Sequence, residues 1–273
     1  MSKDEENRIE LAIKNYHGLF RVVASDNHSS DRTQAIYARY GIPVYLHSGP
    51  RQESRALIEH FYDITDTEYI LIGLAGEFLP LPLLQKFSEI ADAGAYDIVM
   101  NSRRNITHGI SYYPWWKEVS NTLRFFKRGS LDLDKLRIHQ FFKPAVPENR
   151  VLRIGVDLPE YCIYQFRDYD AQRTMQVNLN YGITEADQRF VDGTSYSAFE
   201  AIKRVLISIY YFISRGGWLR GRLGVRELWS GIVLVSIIYW RGSDLRNEMT
   251  LADCARANRT SRQELMKKYN GVV

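Results

Sequence analysis

The chain has 273 residues, enough for one large domain or for one domain with an appendage. Hydrophobic residues make up 45% and charged residues 25%, which is ordinary for a globular protein, and the net charge of +4 is too small to predict nucleic-acid binding. Cys162 and Cys254 form neither a metal-ligand spacing nor a disulfide framework. With polar first residues and no signal-peptide pattern, the sequence predicts a protein of the reducing cytoplasm.

Short apolar runs and helical patterns alternate through the first hundred residues, which predicts an α/β fold with parallel strands. The predicted elements are, in chain order, a helix at 5–17, a strand at 20–24, a helix at 32–40, a strand at 41–46, a helix at 52–63, a strand at 69–74, a helix at 81–93 and a strand at 96–101. Ligands of such sheets bind beyond the carboxyl ends of the strands. Asp26 and Glu77 each follow a strand, so both are expected on the same rim.

The rest of the chain divides into an irregular part, 101–170, and a helical extension, 171–273, which gives a predicted domain boundary near residue 170. The strongest helices are Ser197–Ile213 and Leu228–Trp240, each shorter than the roughly 18 to 20 apolar residues that span a bilayer. From Lys203 to Arg241 there are seven Lys or Arg residues and one acid. These helices are therefore expected to lie on an anionic membrane surface, with a hairpin packed on the core or a dimer interface as alternatives.

The polar cluster after the first strand carries the most specific motif. Asp26-Asn-His-Ser-Ser-Asp-Arg-Thr33 resembles the Asp-x-x-Ser-x-Asp-x-Thr signature of the inverting family 2 glycosyltransferases, which have the GT-A fold. The resemblance implies that Asp26 binds the edge of a nucleobase, while Ser29 and Asp31 close the turn and cap the next helix. The alternative is an ordinary strand–turn–helix connection, which also favours Ser and Asp.

Two arginines stand where the family has a glycine-then-arginine segment that opens a helix, in the stretch Gly49-Pro-Arg51-Gln-Glu-Ser-Arg55. The resemblance implies that Arg55, with Arg51, lies near the diphosphate of the nucleotide. A guanidinium group and a helix N-terminus both favour phosphate oxygens. The alternative is a solvated helix face.

The next strand ends in Leu74-Ala75-Gly76-Glu77, where the family has Asp-Ala-Asp-Glu. Side chains at Leu74 and Gly76 offer no oxygen ligand, so a divalent metal (Mg or Mn) is not expected. Backbone N–H groups at Gly76 could face the diphosphate instead, with Arg104 among the arginines that supply countercharge. Decay of the site is the rival interpretation.

The resemblance continues at Ile138-His139-Gln140, which looks like the Val-His-Glu of the branch related to lipopolysaccharide-core sugar transferases. Gln140 replaces the acid that is the candidate base there, so His139 could take that role, with Glu77, Glu118 and Asp132 as other candidates. The alternative for His139 is a structural histidine between strands. The family's usual first strand also has no counterpart, because Asp4-Glu5-Glu6-Asn7 follows Met1 almost at once. Either this strand lies upstream, or the nucleotide pocket is open on one side.

The resemblance covers roughly residues 4–243 and implies a GT-A-like α/β domain, a mixed sheet flanked by helices, with a helical C-terminal extension. It implies inverting transfer of a sugar from a nucleotide-sugar donor to a polysaccharide or lipid-linked acceptor. A UDP-sugar is the leading candidate for the donor. The expected location is the inner face of the membrane, peripherally bound, with homo-oligomer formation left open. The alternative is an inactive homologue that acts as a binding or scaffold subunit at the membrane.

Overall fold

In the computed structural model, the described residues are 1–49, 54–107, 110–112, 122–135, 143–155, 158–166, 170–214 and 216–270. They form two compact units, Met1–Tyr169 and Asp170–Val273, called here the N-terminal and C-terminal units. Strands flanked by helices build the first unit and helices alone build the second. The expected α/β class, a mixed sheet arrangement with a helical C-terminal extension, is confirmed.

The N-terminal unit begins with a helix, and strands and helices then alternate as far as β3, after which β4, α4 and β5 follow. Its elements are α1 (Ile9–Tyr16), β1 (Ala24–Asp26), α2 (Thr33–Arg39), β2 (Val44–Leu46), α3 (Arg55–Ile64), β3 (Tyr69–Leu71), β4 (Glu77–Phe78), α4 (Leu81–Ala93), β5 (Ile98–Asn101), β6 (Arg103–Thr107), β7 (Ile110–Tyr112), β8 (Thr122–Lys127), β9 (Val151–Ile154) and β10 (Ile163–Phe166). Three 3-10 turns lie at Leu133–Lys135, Glu148–Arg150 and Pro159–Tyr161.

These strands form three sheets rather than one continuous sheet. β1 pairs in parallel with β2; a second sheet has the order β3-β8-β5-β9, and a third has the order β4-β10-β6-β7. Strand β8 runs antiparallel to both β3 and β5, while β5 pairs in parallel with β9 and β6 with β10. The parallel pairing that the alternation of elements predicts is thus found for β1–β2, β5–β9 and β6–β10, whereas β8 enters the second sheet between β3 and β5 in the opposite direction.

Helices cover both faces of the β3-β8-β5-β9 sheet. Neighbouring residues of one strand point to opposite faces, and here Val99 and Phe125 pack with α1 and α4, whereas Ile98 and Phe126 pack with α3. Helix α4 buries Leu83, Leu84, Phe87 and Ile90, which recur at helical spacing. The ring of Phe87 stacks on that of Phe125, with centroids 4.6 Å apart and planes 4° apart. Helices on both faces of this sheet hold its strands, and therefore the ends of those strands, in place.

The C-terminal unit is a group of long helices, α5 (Ala171–Val191), α6 (Ala198–Ser214), α7 (Gly221–Arg246) and α8 (Leu251–Asn270), with a 3-10 turn at Gly217–Arg220 before α7. Helices α5 and α7 are joined by polar contacts along their length. Asn178 Nδ2 donates to Ser230 Oγ at 2.9 Å, and Arg241 Nε donates to Asp187 Oδ1 at 2.8 Å. The helix expected over Leu228–Trp240 is part of the longer helix α7.

The length of α7 corrects the expectation that neither apolar helix could reach across a bilayer. The stretch Gly217–Arg246 is, by length and composition, long and apolar enough for a membrane crossing, and it is the one such helix in the part of the chain that the structure describes. Two of its charged residues contact α5: Arg226 Nη2 donates to Thr174 Oγ1 at 2.6 Å, and Arg241 Nε donates to Asp187 Oδ1 at 2.8 Å.

The close approach of α5 and α7 at Gly182 gives a test of the helical unit. A Cβ atom at Gly182 would lie 2.6 Å from Ile237 Cγ2, whereas one at Gly231 of α7 would meet no atom within 4 Å. We expect Gly182→Ala to destabilise the C-terminal unit by about 1–3 kcal/mol through overpacking. Gly231→Ala should stabilise it by about 0.5–1 kcal/mol through helix propensity. Amide hydrogen exchange in α5 and α7 measures both, and equal exchange in the two variants would contradict this packing.

Candidate functional site

The carboxylate of Asp26 is the centre of the rim at the end of β1. The residue is fully buried, and its two oxygens accept four hydrogen bonds. Oδ1 accepts from Ser2 Oγ at 2.8 Å and Ser29 Oγ at 2.6 Å, and Oδ2 accepts from Ser29 N at 2.8 Å and Gln34 Nε2 at 2.8 Å. Burial by itself raises the pKa of this carboxyl group, but the four donors outweigh it and hold the pKa below its ordinary value. Asp26 is therefore an anion with every oxygen already engaged by the protein.

The loop after Asp26 is tied to the first residues of the chain. Asp31 accepts from the backbone N–H groups of Glu6 at 3.0 Å and Thr33 at 2.9 Å, and Thr33 Oγ1 accepts from Glu5 N at 2.7 Å. His28, between these contacts, has a left-handed backbone with φ of 54°, which is uncommon for a residue other than glycine. The predicted residues Asp26, Ser29 and Asp31 thus lie together in one hydrogen-bonded loop.

The same N-terminal segment places a guanidinium beside Gly76, in the turn between β3 and β4. Nε and Nη2 of Arg8 donate to the two oxygens of Glu5, at 2.8 and 2.9 Å. Its Nη1 is the nitrogen that faces Gly76, where an added Cβ would lie 3.1 Å away. The sequence pointed to Arg51, Arg55, Arg103 or Arg104 as the cation near this turn, and it gave no indication of Arg8.

Glu77, the next residue, forms a buried ion pair with Arg124 of β8. Arg124 Nε and Nη2 each donate to one carboxylate oxygen at 2.8 Å, and both residues are at least nine-tenths buried. Removing one partner of such a pair typically costs about 3–5 kcal/mol, because the other charge is left buried and uncompensated. The carboxylate predicted to serve as a base is thus held in place by a guanidinium.

A row of polar side chains extends from Glu77 across the third sheet. In the strand register Glu77 lies beside Gln165 of β10, which lies beside Asn105 of β6. Asn105 is fully buried, and among the residues that the structure describes its side-chain amide has no hydrogen-bond partner; the same holds for Gln165 Oε1. Arg104 falls in the alternate row, beside Tyr164, and therefore on the other face of the sheet.

The remaining predicted residues are partly described. Arg55 opens α3 and is exposed, with its guanidinium paired to Glu59 at 2.7 Å and Asp134 at 2.8 Å. Ser54 caps the helix by accepting from Leu57 N at 3.3 Å. Arg51, His139 and Gln140 lie outside the described residues.

A divalent metal does not fit the turn at Gly76. Leu74 and Gly76 offer no side-chain oxygen, and the space beside Gly76 is taken by the Arg8 guanidinium, whose positive charge opposes a second cation. Within the described ranges no three His, Cys, Asp or Glu side chains lie close enough to hold a metal ion. No catalytic step is therefore derived through a metal.

Comparisons with known proteins give structural neighbours only. No protein-family model matches the sequence, and no curated protein matches it. Among solved structures, the mannosyltransferase PcManGT from Pyrobaculum calidifontis, in complex with GDP-Man and Mn2+, is 14% identical with a TM-score of 0.42, covering 99% of this chain and 80% of that one. S. aureus TarS is 14% identical with a TM-score of 0.40, and the match covers 84% of this chain and 46% of TarS, less than half its length.

The Asp26 network gives a pH-dependent prediction. Because its folded-state pKa is lowered, the carboxylate contributes stability above its unfolded pKa of about 3.9, and this is lost as the pH falls through the folded value. We expect Asp26→Asn to lower the free energy of unfolding by about 1–3 kcal/mol at pH 7. Below about pH 4 the free energy of unfolding of the variant should approach that of the parent protein. Urea unfolding at pH 7, 5 and 3 measures this. Asp66→Asn, in an exposed pair with Arg21, is the control and should change little. A deficit for Asp26→Asn that persists unchanged at pH 3 would contradict the assignment.

Proposed function

We propose that the N-terminal unit is a glycosyltransferase domain that takes a sugar from a nucleotide-sugar donor, a UDP-sugar first, and works without a metal ion. The observation that carries this proposal is the Asp26 loop. The motif that resembles the family 2 signature lies at the carboxyl end of a parallel strand, which is where ligands of α/β sheets bind. Its aspartate, serine and second aspartate converge there in one hydrogen-bonded network.

In this proposal the rim binds the donor from base to sugar. The Asp26 loop, with Ser29 and Asp31, contacts the nucleobase, and the diphosphate lies toward the turn at Gly76. Arg8 supplies positive charge at that turn, and Arg55, at the N-terminus of α3, adds a second cation after exchanging its partners Glu59 and Asp134 for phosphate oxygens. Arg51 and Arg104 remain proposed donor contacts.

The chemical step needs a base for the acceptor hydroxyl and charge stabilisation for the leaving diphosphate. Arg8 supplies the charge stabilisation, since a fixed guanidinium stabilises a developing phosphate anion without a metal. His139 and Glu77 remain the proposed candidates for the base that accepts the proton of the acceptor hydroxyl. Glu77 would have to act beside Arg124, whose two nitrogens already bond its oxygens. The same proposal includes transfer with inversion at the sugar's anomeric carbon and a polysaccharide or lipid-linked acceptor. It also includes formation of a homo-oligomer.

A second candidate function is supported by the same carboxylates. Asp26 accepts four internal hydrogen bonds, and Glu77 is paired on both oxygens, so neither is ready for a ligand without rearrangement. This favours an inactive homologue that serves as a binding or scaffold subunit. The two functions share the fold and differ in whether nucleotide binds and sugar is transferred.

Nucleotide binding with and without metal is the first test. UDP, GDP and CMP are added to the full chain, with manganese or with a chelator, and thermal unfolding is followed. We expect UDP to stabilise the protein equally in both conditions, by about 2.7 kcal/mol at a hundred times its Kd. Arg8→Ala should weaken UDP binding about tenfold, which corresponds to about 1.4 kcal/mol. Arg8→Lys should recover part of that loss.

The matched control is Arg21→Ala, because Arg21 is also an arginine paired to one acid but lies in an exposed pair with Asp66. It should leave nucleotide affinity unchanged. Stabilisation that requires manganese would overturn the metal-free proposal. Absence of any nucleotide effect would overturn both the transferase and a nucleotide-binding subunit, and binding without turnover of UDP-sugars would select the inactive subunit.

We also propose that the C-terminal unit binds the anionic inner face of a membrane through α6. One face of this helix carries apolar side chains at intervals of three and four residues, and each is more than half exposed. They are Phe199, Ile202, Leu206, Tyr210 and Ile213. Exposed Trp218 and the cations Lys203 and Arg222 flank this face, a composition that suits the boundary between headgroups and acyl chains.

Liposome sedimentation tests this surface. With vesicles of phosphatidylcholine and 30% phosphatidylserine, roughly the anionic content that gives a cytoplasmic leaflet its charge, we expect Leu206→Asp to bind at least about tenfold more weakly than the parent. The reason is that a charge replaces an apolar group worth about 1.5–3 kcal/mol when buried. Val191→Asp, at an equally apolar position that is 84% exposed at the end of α5, is the control and should bind as the parent does. Equal loss in both variants would contradict docking through α6.

A further inference from the structure

The third sheet of the N-terminal unit buries one of its faces and exposes aromatic rings on the other. The buried face carries Glu77, Asn105 and Ile163, each at most 4% exposed. Because neighbouring residues of a strand point to opposite faces, the alternate positions of the same strands form the second face. We call it the aromatic face; it consists of Phe78 of β4, Arg104 and Ile106 of β6, and Tyr164 and Phe166 of β10.

The strand register brings three of these side chains into one row. Phe78 lies beside Tyr164, and Tyr164 lies beside Arg104. The ring centroids of Phe78 and Tyr164 are 6.3 Å apart, and their planes are tilted by 50°. The hydroxyl group of Tyr164 donates to Pro159 O at 3.2 Å, which holds the ring in place. The row therefore has a fixed ring in its middle and the N–H groups of a guanidinium at one end.

The aromatic face reaches the turn at Gly76, toward which the diphosphate of the donor is proposed to lie. Phe166 N donates to Gly76 O at 2.8 Å, so these two residues are neighbours across the strands. Gly76 also faces Nη1 of Arg8. From Gly76 to Phe78 the chain extends about 7 Å, at roughly 3.4 Å per residue, which is longer than one pyranose ring. A chain of sugars on this face would thus direct one end to the turn.

The composition and size of the aromatic face favour a saccharide as its ligand. Phe78 is 43% exposed and Phe166 is 40% exposed. A sugar ring has a face of C–H groups and a rim of hydroxyl groups, so the C–H face stacks on an aromatic ring while side chains at the edge bond the hydroxyl groups. Arg104 supplies N–H donors for such bonds. A stable protein interface takes roughly 20–30 residues on each side, far more than this face contains.

We propose that the aromatic face binds the acceptor as an oligosaccharide of at least two sugar rings, stacked on Phe78, Tyr164 and Phe166. The acceptor is then the end of a sugar chain that the protein recognises by its rings. The role of this saccharide as the acceptor rests on the proposed transferase function. The binding of saccharide itself rests on the aromatic face alone.

Titration of the full chain with neutral oligosaccharides, in the absence of nucleotide, tests the proposal. The probes are cellotriose, maltotriose, mannotriose and the trimer of N-acetylglucosamine, each compared with its monosaccharide. Binding is followed through the ring signals of Phe and Tyr in NMR spectra. We expect at least one trimer to shift the signals of Phe78, Tyr164 and Phe166. This trimer should bind about tenfold more tightly than its monosaccharide, because it stacks on more than one ring.

Substitutions of Phe78 separate ring stacking from general hydrophobicity. Phe78→Leu keeps an apolar side chain but removes the ring, so it should bind the trimer about tenfold more weakly than the parent. Phe78→Tyr keeps the ring and should bind the trimer as the parent does. Tyr45→Ala is the matched control, because Tyr45 also lies on a strand and is 41% exposed but belongs to β2 of the first sheet. Its affinity for the trimer should equal that of the parent.

The proposal is wrong if no trimer shifts the three ring signals, if Phe78→Leu binds as the parent does, or if Tyr45→Ala loses as much affinity as Phe78→Leu. Loss of liposome binding in Phe78→Leu would assign the face to a membrane, and a smaller oligomer in sedimentation velocity would assign it to a second copy of the chain. Either result would also overturn the proposal. Binding of UDP without any trimer removes this inference alone, whereas binding of a trimer without UDP removes the transferase function and leaves the saccharide site.

Discussion

The buried carboxylate of Asp26 is the interaction on which the rim depends. A carboxylate removed from water is stable only when donors replace its hydration, and here donors from β1's own loop, from α2 and from the chain's second residue do so. One of these donors, Ser2, lies 24 residues away in sequence. The anion therefore holds the second residue of the chain against the end of β1, and hydrogen bonds of residues 4–6 with the Asp26 loop add to this attachment.

The position of Arg8 is one consequence of this attachment. Its pair with Glu5 directs Nη1 to the turn at Gly76, and Gly76 leaves room for it because it has no side chain. The next residue, Glu77, is paired with Arg124 in the core. The rim thus carries two guanidinium groups near the turn where the resembling family has metal-binding acids, and both are held by carboxylates.

The sequence predicted local features well and long-range ones poorly. The helix at 81–93 has the predicted bounds because Pro80 and Gly94 mark its ends, and Asp26, Ser29 and Asp31 come together because they share one short loop. Arg8 was missed because its contact with Gly76 spans 68 residues, and no local pattern encodes it. Arg104 was expected on the rim, but its face depends on the register of β6 with β10. The length of α7 was missed since its charged ends read as breaks in an apolar run, whereas Arg226 and Arg241 bond to α5.

The first two residues of the chain link the Asp26 loop to the turn at Gly76. Ser2 donates to Asp26 and forms a parallel bridge with the end of β1, while the Met1 amino group donates to the carbonyl of Gly73, three residues before Gly76. The loop and the turn are therefore held by one short segment. Pre-ordering two segments in this way lowers the conformational entropy that a ligand must otherwise remove when it binds. Met1 and Ser2 thus act on ligand affinity through the two segments that they hold in place.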